Sequence, residues 1–144
     1  MNIAEDIALL APVPSDLLDS GATMEGRVVF GSDANKLFKK LDKLRGDDDV
    51  DVYIYASQSG GEPAEVSWHA RYVLSVDSQS GAYPNPKHRP GPALQDTDWT
   101  LFWVVEDLKP LQPPIGIGKL TGLRKKEPYK PRFRPRGPVL IKHP

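Results

Sequence analysis

The stretch Val28-Val29-Phe30-Gly31-Ser32-Asp33 leads directly into Ala34-Asn35-Lys36-Leu37-Phe38-Lys39-Lys40-Leu41, and Val52-Tyr53-Ile54-Tyr55-Ala56-Ser57 follows after an acidic loop. The first and last of these runs are short, apolar and rich in β-branched or aromatic residues, which favours strands. The middle run has apolar residues at helical spacing with lysines between them, which favours an amphipathic helix. The sequence therefore predicts a strand, a helix and a strand. We expect the helix start and the end of the second strand to border one small pocket.

Three further strands are predicted after this unit. Alternation of apolar and polar residues indicates a long strand within residues 64–76, with Val66, Trp68, Ala70, Tyr72 and Leu74 on one face. The run 99–106 is the most strongly β-like of the chain, and residues 139–141 are expected to form a last strand that closes the sheet. Residues 78–97 are predicted to be a long loop, and residues 110–114 an extended connector. The predicted fold class is α+β, mostly β.

The N-terminal segment, residues 1–22, is predicted to be a leader outside a single domain of residues 23–144. Pro12 and Pro14 would interrupt a helix that began at Ile3, and Ser20-Gly21 predicts a turn. The segment lacks the basic start and apolar centre of a secretory signal, and no apolar run approaches the length of a membrane span. A cytoplasmic protein with no membrane partner is therefore expected.

Composition and charge narrow the possible functions. The chain has 144 residues, of which 15 are prolines and 12 are glycines, so many turns and short strands are expected. It has no cysteine, which excludes disulfides, thiolate metal sites and cysteine nucleophiles. The formal net charge is zero, but residues 1–51 carry 11 acids and 6 bases, whereas residues 119–144 carry 9 bases and 1 acid. This asymmetry suggests either a polyanionic partner or a solvated face that keeps the protein soluble.

The order of elements and several short patterns resemble a known superfamily. The patterns are the Phe30-Gly31-Ser32-Asp33 turn, the strand of residues 53–57, the Asp96-Thr97-Asp98-Trp99 approach, the exit of residues 104–111 and the closing segment of residues 133–141. Over roughly residues 24–142 the chain resembles the PUA-like superfamily, and within it the EVE and YTH branch. The resemblance implies a small curved, partly closed β-barrel of about five or six strands with short flanking helices.

The same resemblance implies a nucleic-acid-binding module, RNA or DNA, that reads a base in a pocket between the first helix and the second strand. EVE and YTH members accept a flipped, modified base there. Such a pocket needs polar groups for the base edge and aromatic faces for stacking. The candidates for this base pocket are Ser32, Asp33, Asn35, Ser57, Trp68 and Trp99. As alternatives, Asp33 would only cap the helix, and the tryptophans would belong to the core.

Cations that bind the phosphates are expected in the C-terminal segment, where lysines and arginines alternate with aromatic residues and prolines. The predicted nucleic-acid contacts are Arg124, Lys125, Lys126, Lys130, Arg132, Arg134 and Arg136. The alternative is a covering segment whose Tyr129 and Phe133 pack on the barrel. The segment can do both if its aromatic side chains face inward and its lysines and arginines face outward.

Other functions have less support in the sequence. Some ASCH members of the superfamily are amidohydrolases, so a small hydrolase of modified nucleosides using Asp33, Lys36 or Glu65 is an alternative. The chain lacks a nucleophile elbow and a phosphate-binding glycine loop, and its three neighbouring aspartates lack calcium-loop spacing. No enzyme activity, cofactor or metal is therefore predicted. A third alternative is a protein-interaction domain that docks through its proline-rich basic tail. The modification, the choice between DNA and RNA, and the oligomeric state are left open.

Overall fold

A computed structural model describes residues 3–57, 64–78, 88–90 and 99–144. In these ranges the chain is mostly β, with six strands and two α-helices, which confirms the coarser prediction of an α+β, mostly β chain. The elements are β1 Ile7–Pro14, α1 Ser15–Gly21, β2 Val28–Ser32, α2 Asn35–Arg45, β3 Val50–Ser57, β4 Glu65–Asp77, β5 Leu101–Gly116 and β6 Val139–Lys142. Most of the predicted loop 78–97 lies outside the described residues, as does the Asp96-Thr97-Asp98 stretch.

The six strands form one mixed sheet with the order β2-β5-β4-β3-β1-β6. Strand β1 runs parallel to β3, and every other pair is antiparallel. The sheet is not closed, because the described part of β2 pairs only with β5 and that of β6 only with β1. The predicted strand, helix and strand are present as β2, α2 and β3. They are not adjacent in the sheet, since β5 and β4 lie between β2 and β3.

The prediction of a leader in residues 1–22 is wrong, because most of that segment is part of the domain. Strand β1 lies between β3 and β6, and Leu9 and Leu10 are fully buried. The prolines that argued against regular structure lie at the end of this strand. Strand β6 begins at Val139, opposite Leu10, so Pro12 and Pro14 have only β3 beside them. A strand tolerates proline where one side has no neighbour, since no N–H is needed there.

Bulges change the predicted faces of β4. The pairing of β4 with β5 shifts register at three places between Val66 and Leu74. An extra residue in one strand turns the following side chains to the other face. As a result, Ala70 and Tyr72 lie in the main core, whereas Val66 and Leu74 pack in two other clusters. Strand β5 is longer than predicted, because the expected connector of residues 110–114 continues the strand.

Both helices cover one face of the sheet. Leu18 of α1 and Phe38 and Leu41 of α2 are buried against that face in the main core. The Phe38 ring stacks at 5.8 Å from the ring centroids of both Tyr72 and Trp103. Burial of such large rings is the main source of stability in a core of this kind. The main core contains residues from β1 and from β2, which are far apart in the strand order, so the sheet is strongly curved.

The opposite face of β1, β3 and β4 is covered by the C-terminal segment. Tyr53, Tyr55 and Ile141 are buried there, and Tyr129 and Phe133 pack against them. The rings of Tyr129 and Phe133 stack at 4.5 Å. The alternative of a covering segment with inward aromatics is therefore correct for these two residues. The neighbouring cations Lys130 and Arg132 remain exposed to solvent.

Candidate functional site

One cavity lies where the two ends of the curved sheet approach each other. Its volume is about 160 Å³. The end of β1 and the start of α1 contribute part of the lining, and the end of β2 with the start of β5 contributes another part. The lining residues are 11–14 with Leu17, 30–32, Arg89, Trp99, Trp103 and Pro138. The curvature of the sheet therefore produces a small compartment, which we call the Trp99 cavity.

Aromatic rings form much of the Trp99 cavity. Trp103 is almost fully buried, and its ring centroid lies 5.1 Å from that of Phe30. Trp99 lies directly against the backbone of Gly31, where any side chain at residue 31 would overlap the indole ring. Only glycine allows this approach, because it has no Cβ. The cavity thus has flat apolar surfaces of the kind that pack against an aromatic ligand.

Two polar side chains interrupt the apolar lining. Ser32 is 7% exposed, and its Oγ accepts a hydrogen bond from the Ala34 N–H at 3.1 Å. A serine hydroxyl that accepts one bond still has a proton to donate and a second lone pair. Arg89 is 6% exposed, and its Nη1 donates to the Val29 carbonyl at 2.9 Å. Its guanidinium lies 4.9 Å above the Phe102 ring. The cavity lining therefore includes a buried serine hydroxyl and a buried arginine whose guanidinium is bonded to the Val29 carbonyl.

Asp33 and Asn35, two of the predicted base-pocket residues, make structural contacts outside the cavity. The Asp33 Oδ1 accepts a hydrogen bond from the Thr100 N–H at 3.1 Å, and the Thr100 hydroxyl lies 3.1 Å from Asn35 Oδ1 and 3.4 Å from the Ser32 carbonyl. These contacts attach the turn between β2 and α2 to the start of β5. They place Asp33 and Asn35 around Thr100, while Ser32 and Trp99 line the cavity.

The start of helix α2 does not have the Asp33 N-cap that the alternative predicts. Helix α2 begins at Asn35 after Ala34, and no side chain caps it. The Ser32 hydroxyl bonds to the N–H of Ala34, which lies before the helix. Neither Ser32 nor Asp33 therefore caps the helix with its side chain.

The remaining two predicted pocket residues lie elsewhere. Trp68 is half-buried in β4 and packs against the main core, as its alternative reading expected. Ser57 ends β3 and pairs with Pro14, a cavity residue, but does not itself line the cavity. The sequence predicts a pocket between the first helix and the second strand, whereas none of the described residues that line the Trp99 cavity belongs to α2 or β3. Of the six predicted base-pocket residues, the structure brings Ser32 and Trp99 together.

Sequence reasoning missed most of the other cavity residues. The segment from Pro12 to Leu17 was assigned to a leader, and Arg89 lies in a stretch predicted to be a featureless loop. An apolar run with alternating prolines at its end could have indicated a strand that loses one neighbour. No local signal identifies Arg89, because its position depends on the chain folding back over β2.

The predicted phosphate contacts are mainly on the surface. Exposed side chains belong to Arg124, Lys125, Lys126, Lys130, Arg132 and Arg136. Arg134 is half-buried and donates from Nη1 to the Tyr55 hydroxyl at 2.8 Å, so it holds the segment onto β3. The structure therefore separates one anchoring arginine from six outward cations.

A carboxylate between two imidazoles forms a separate cluster. Asp51 Oδ1 lies 3.0 Å from His69 Nε2, and Asp51 Oδ2 lies 2.6 Å from His143 Nε2. Burial raises the pKa of the Asp51 carboxyl. The hydrogen bonds and charges of His143 and His69 together lower this pKa by more than burial raises it, so it lies below its ordinary value. Among the described residues, no group of three or more potential ligands is placed to hold a metal ion.

Comparison of the sequence with protein-family models found no match, and comparison with curated proteins found none either. The resemblance to the PUA-like superfamily therefore depends on the quoted residues alone and stays a prediction. In the described ranges, neither helix is long and apolar enough to cross a lipid bilayer.

Proposed function

We propose that this chain is a nucleic-acid-binding module that holds one base in the Trp99 cavity. The observation that carries the proposal is a small cavity lined by two tryptophans and a buried serine hydroxyl. Proteins that read an unstacked base combine aromatic faces with hydrogen-bonding groups at the base edge. In this proposal Trp99 and Trp103 supply the apolar faces, and the Ser32 hydroxyl bonds to the base edge. The PUA-like, partly closed barrel is part of the same proposal.

The size of the cavity favours a single ring. In another protein, an engineered cavity of about 150 Å³ binds benzene. The Trp99 cavity, at about 160 Å³, has similar room. A pyrimidine has one six-membered ring, whereas a purine has a second, fused ring. We therefore propose a pyrimidine, plain or modified, as the preferred base.

Binding is better supported than hydrolysis. Among the described residues that line the cavity there is no carboxylate and no imidazole, so none of them can serve Ser32 as a general base. Asp33, Lys36 and Glu65, the residues of the hydrolase alternative, are exposed and do not line it. The protein-interaction alternative is tested by the same binding experiments.

The test is anisotropy of labelled short oligonucleotides at low salt, with RNA and DNA strands of each base and strands that carry a methylated pyrimidine. We expect tighter binding to pyrimidine strands. Trp99→Leu should weaken this binding at least about fivefold, because stacking of one base contributes about 1–3 kcal/mol. The matched control is Trp68→Leu, which also removes an indole but outside the cavity. No binding to any strand, or equal effects of the two variants in folded protein, would contradict the proposal.

A further inference from the structure

The lysines of α2 and the cations of the C-terminal segment border one groove. A hollow of about 420 Å³ is lined by Lys36 and Lys40 from α2 and by Arg124 and Lys125 from the C-terminal segment. The sequence alone predicts phosphate contacts only in the C-terminal segment. The tertiary structure adds Lys36 and Lys40 to the candidate phosphate contacts, although both precede Arg124 by more than eighty residues in the sequence.

A second hollow continues the first. It has a volume of about 510 Å³ and shares Lys125 and Tyr129 with its neighbour. It adds the cations Lys130 and Arg132 and one anion, Glu127. In the part of the chain that the structure describes, none of the six cations of the two hollows takes part in an ion pair. We call the two hollows together the basic groove.

The basic groove also has an apolar and aromatic floor. Leu37, Leu123 and Leu140 line the first hollow, and the stacked rings of Tyr129 and Phe133 line the second. Gly122 gives Tyr129 its space, since a Cβ there would lie 2.9 Å from the Tyr129 hydroxyl oxygen. Cations beside aromatic faces bind single strands, because the cations attract phosphates while the bases stack on the rings.

Chain segments that line the Trp99 cavity continue into segments that line the basic groove. Pro138 lines the cavity, and the next residues, Val139 and Leu140, line the groove. On the other side, Ser32 lines the cavity, and Lys36 follows it in the first turn of α2. A strand with one base in the cavity would therefore have its adjoining phosphates near Lys36.

We propose that the basic groove is the path of a single-stranded nucleic acid that leaves the Trp99 cavity and passes between α2 and the C-terminal segment. This inference rests on the proposed function and adds a direction for the strand and two contact residues, Lys36 and Lys40. The six unpaired cations match a chain of phosphates, and the aromatic floor favours a nucleic acid over an acidic peptide, which has no bases to stack.

The test compares two double variants of the same helix. Lys36→Gln/Lys40→Gln removes both groove lysines. Lys39→Gln/Lys43→Gln removes two exposed lysines with the same spacing that do not line the groove. The affinity for a short pyrimidine strand is measured over a range of NaCl concentrations. We expect the groove variant to bind about tenfold more weakly at low salt and to have a salt slope smaller by about 1.4, the value for two lost phosphate contacts on a single strand.

The possible outcomes separate this inference from the proposed function. If Trp99→Leu weakens binding but the two lysine variants behave alike, the cavity proposal stands and the path is wrong. If polyglutamate of similar length binds as tightly as the oligonucleotide and with the same loss in the groove variant, the groove is a site for acidic peptides and this inference is overturned. If the wild-type protein binds no strand, both proposals fail. Circular dichroism of each variant checks the fold.

Discussion

Gly31 shows how one missing side chain shapes the cavity. It lies in β2, where its neighbours Phe30 and Ser32 both contribute to the cavity lining. The Trp99 indole occupies the space that a side chain at residue 31 would need. A strand interior is an unfavourable place for glycine unless another group approaches the backbone closely. We infer that glycine is required at this position because it allows Trp99 to complete the cavity.

We expect Gly31→Ala to destabilise the protein by about 1–3 kcal/mol, the usual cost of overpacking, and to displace Trp99. Chemical denaturation measures the free energy of unfolding, and the near-ultraviolet circular dichroism reports the surroundings of the indoles. The control is Gly116→Ala, since Gly116 has a φ of −62° and open space around its Cβ position. Equal stability of the two variants would show that Trp99 does not need the space at Gly31.

At the scale of elements, β1 changes the interpretation of the whole N-terminus. It is the fifth strand of the sheet, with paired neighbours on both sides over Ala8 to Leu10. Beyond Leu10 it loses β6 as a neighbour, and there its prolines line the Trp99 cavity. The same strand therefore supports the core with its first half and the candidate site with its second half.

Leu10→Ala should destabilise the protein by about 2–5 kcal/mol, because a fully buried leucine loses its contacts and leaves a cavity. The free energy of unfolding from urea denaturation measures this effect. Leu111→Ala is the control, since Leu111 packs against the same cluster but is only half-buried, and its substitution should cost less. A Leu10 variant as stable as wild type would mean that the segment lies outside the domain, as a leader would.

At the scale of the whole molecule, Asp51 connects three segments that are distant in sequence. Its carboxylate bonds to the imidazoles of His69 in β4 and of His143 near the C-terminus. The backbone N–H of His143 donates to the Asp6 carbonyl at 3.1 Å. The C-terminal segment carries most of the basic groove, so this cluster and the Arg134 bond to Tyr55 help to hold the groove on the sheet.

The stability that Asp51 provides should depend on pH in a defined direction. Its pKa is lower in the folded protein, so the contribution is fully present above the unfolded value of about 3.9 and is lost as the pH falls through the folded pKa. We expect Asp51→Asn to lose at most about 1 kcal/mol at neutral pH, because over a third of the side chain is exposed and water screens the charge. The difference from wild type should shrink below about pH 4.

Thermal unfolding of both proteins across this pH range measures the difference. The control is Asp47→Asn, in an exposed residue that makes no ion pair with any described residue. It should follow the wild-type curve at every pH. A difference for Asp51→Asn that grows on acidification would contradict the assigned direction.

Features that depend on local sequence patterns were predicted better than features that depend on contacts between distant segments. Helix α2 and strands β2, β3 and β6 were predicted near their observed positions, because local periodicity reports which face of an element is buried. The faces of β4 were predicted incorrectly, since bulges depend on the partner strand. Ser32 and Trp99 were recognised as pocket candidates from residue type and position. Arg89 and the β1 wall were not, because their contacts are with parts of the chain distant in sequence.

The amino-acid pattern by itself determined a mostly β chain with one clear amphipathic helix, no cysteine chemistry and a basic C-terminal segment with aromatics. These properties depend on residue type and on neighbours a few positions away. Only the tertiary structure decided that β1 lies inside the sheet, that the ends of β1 and β2 enclose a cavity, and that Lys36 and Lys40 lie beside Arg124 and Lys125. The physical reason is that the curvature and register of the sheet bring distant segments together, and no local pattern encodes that meeting.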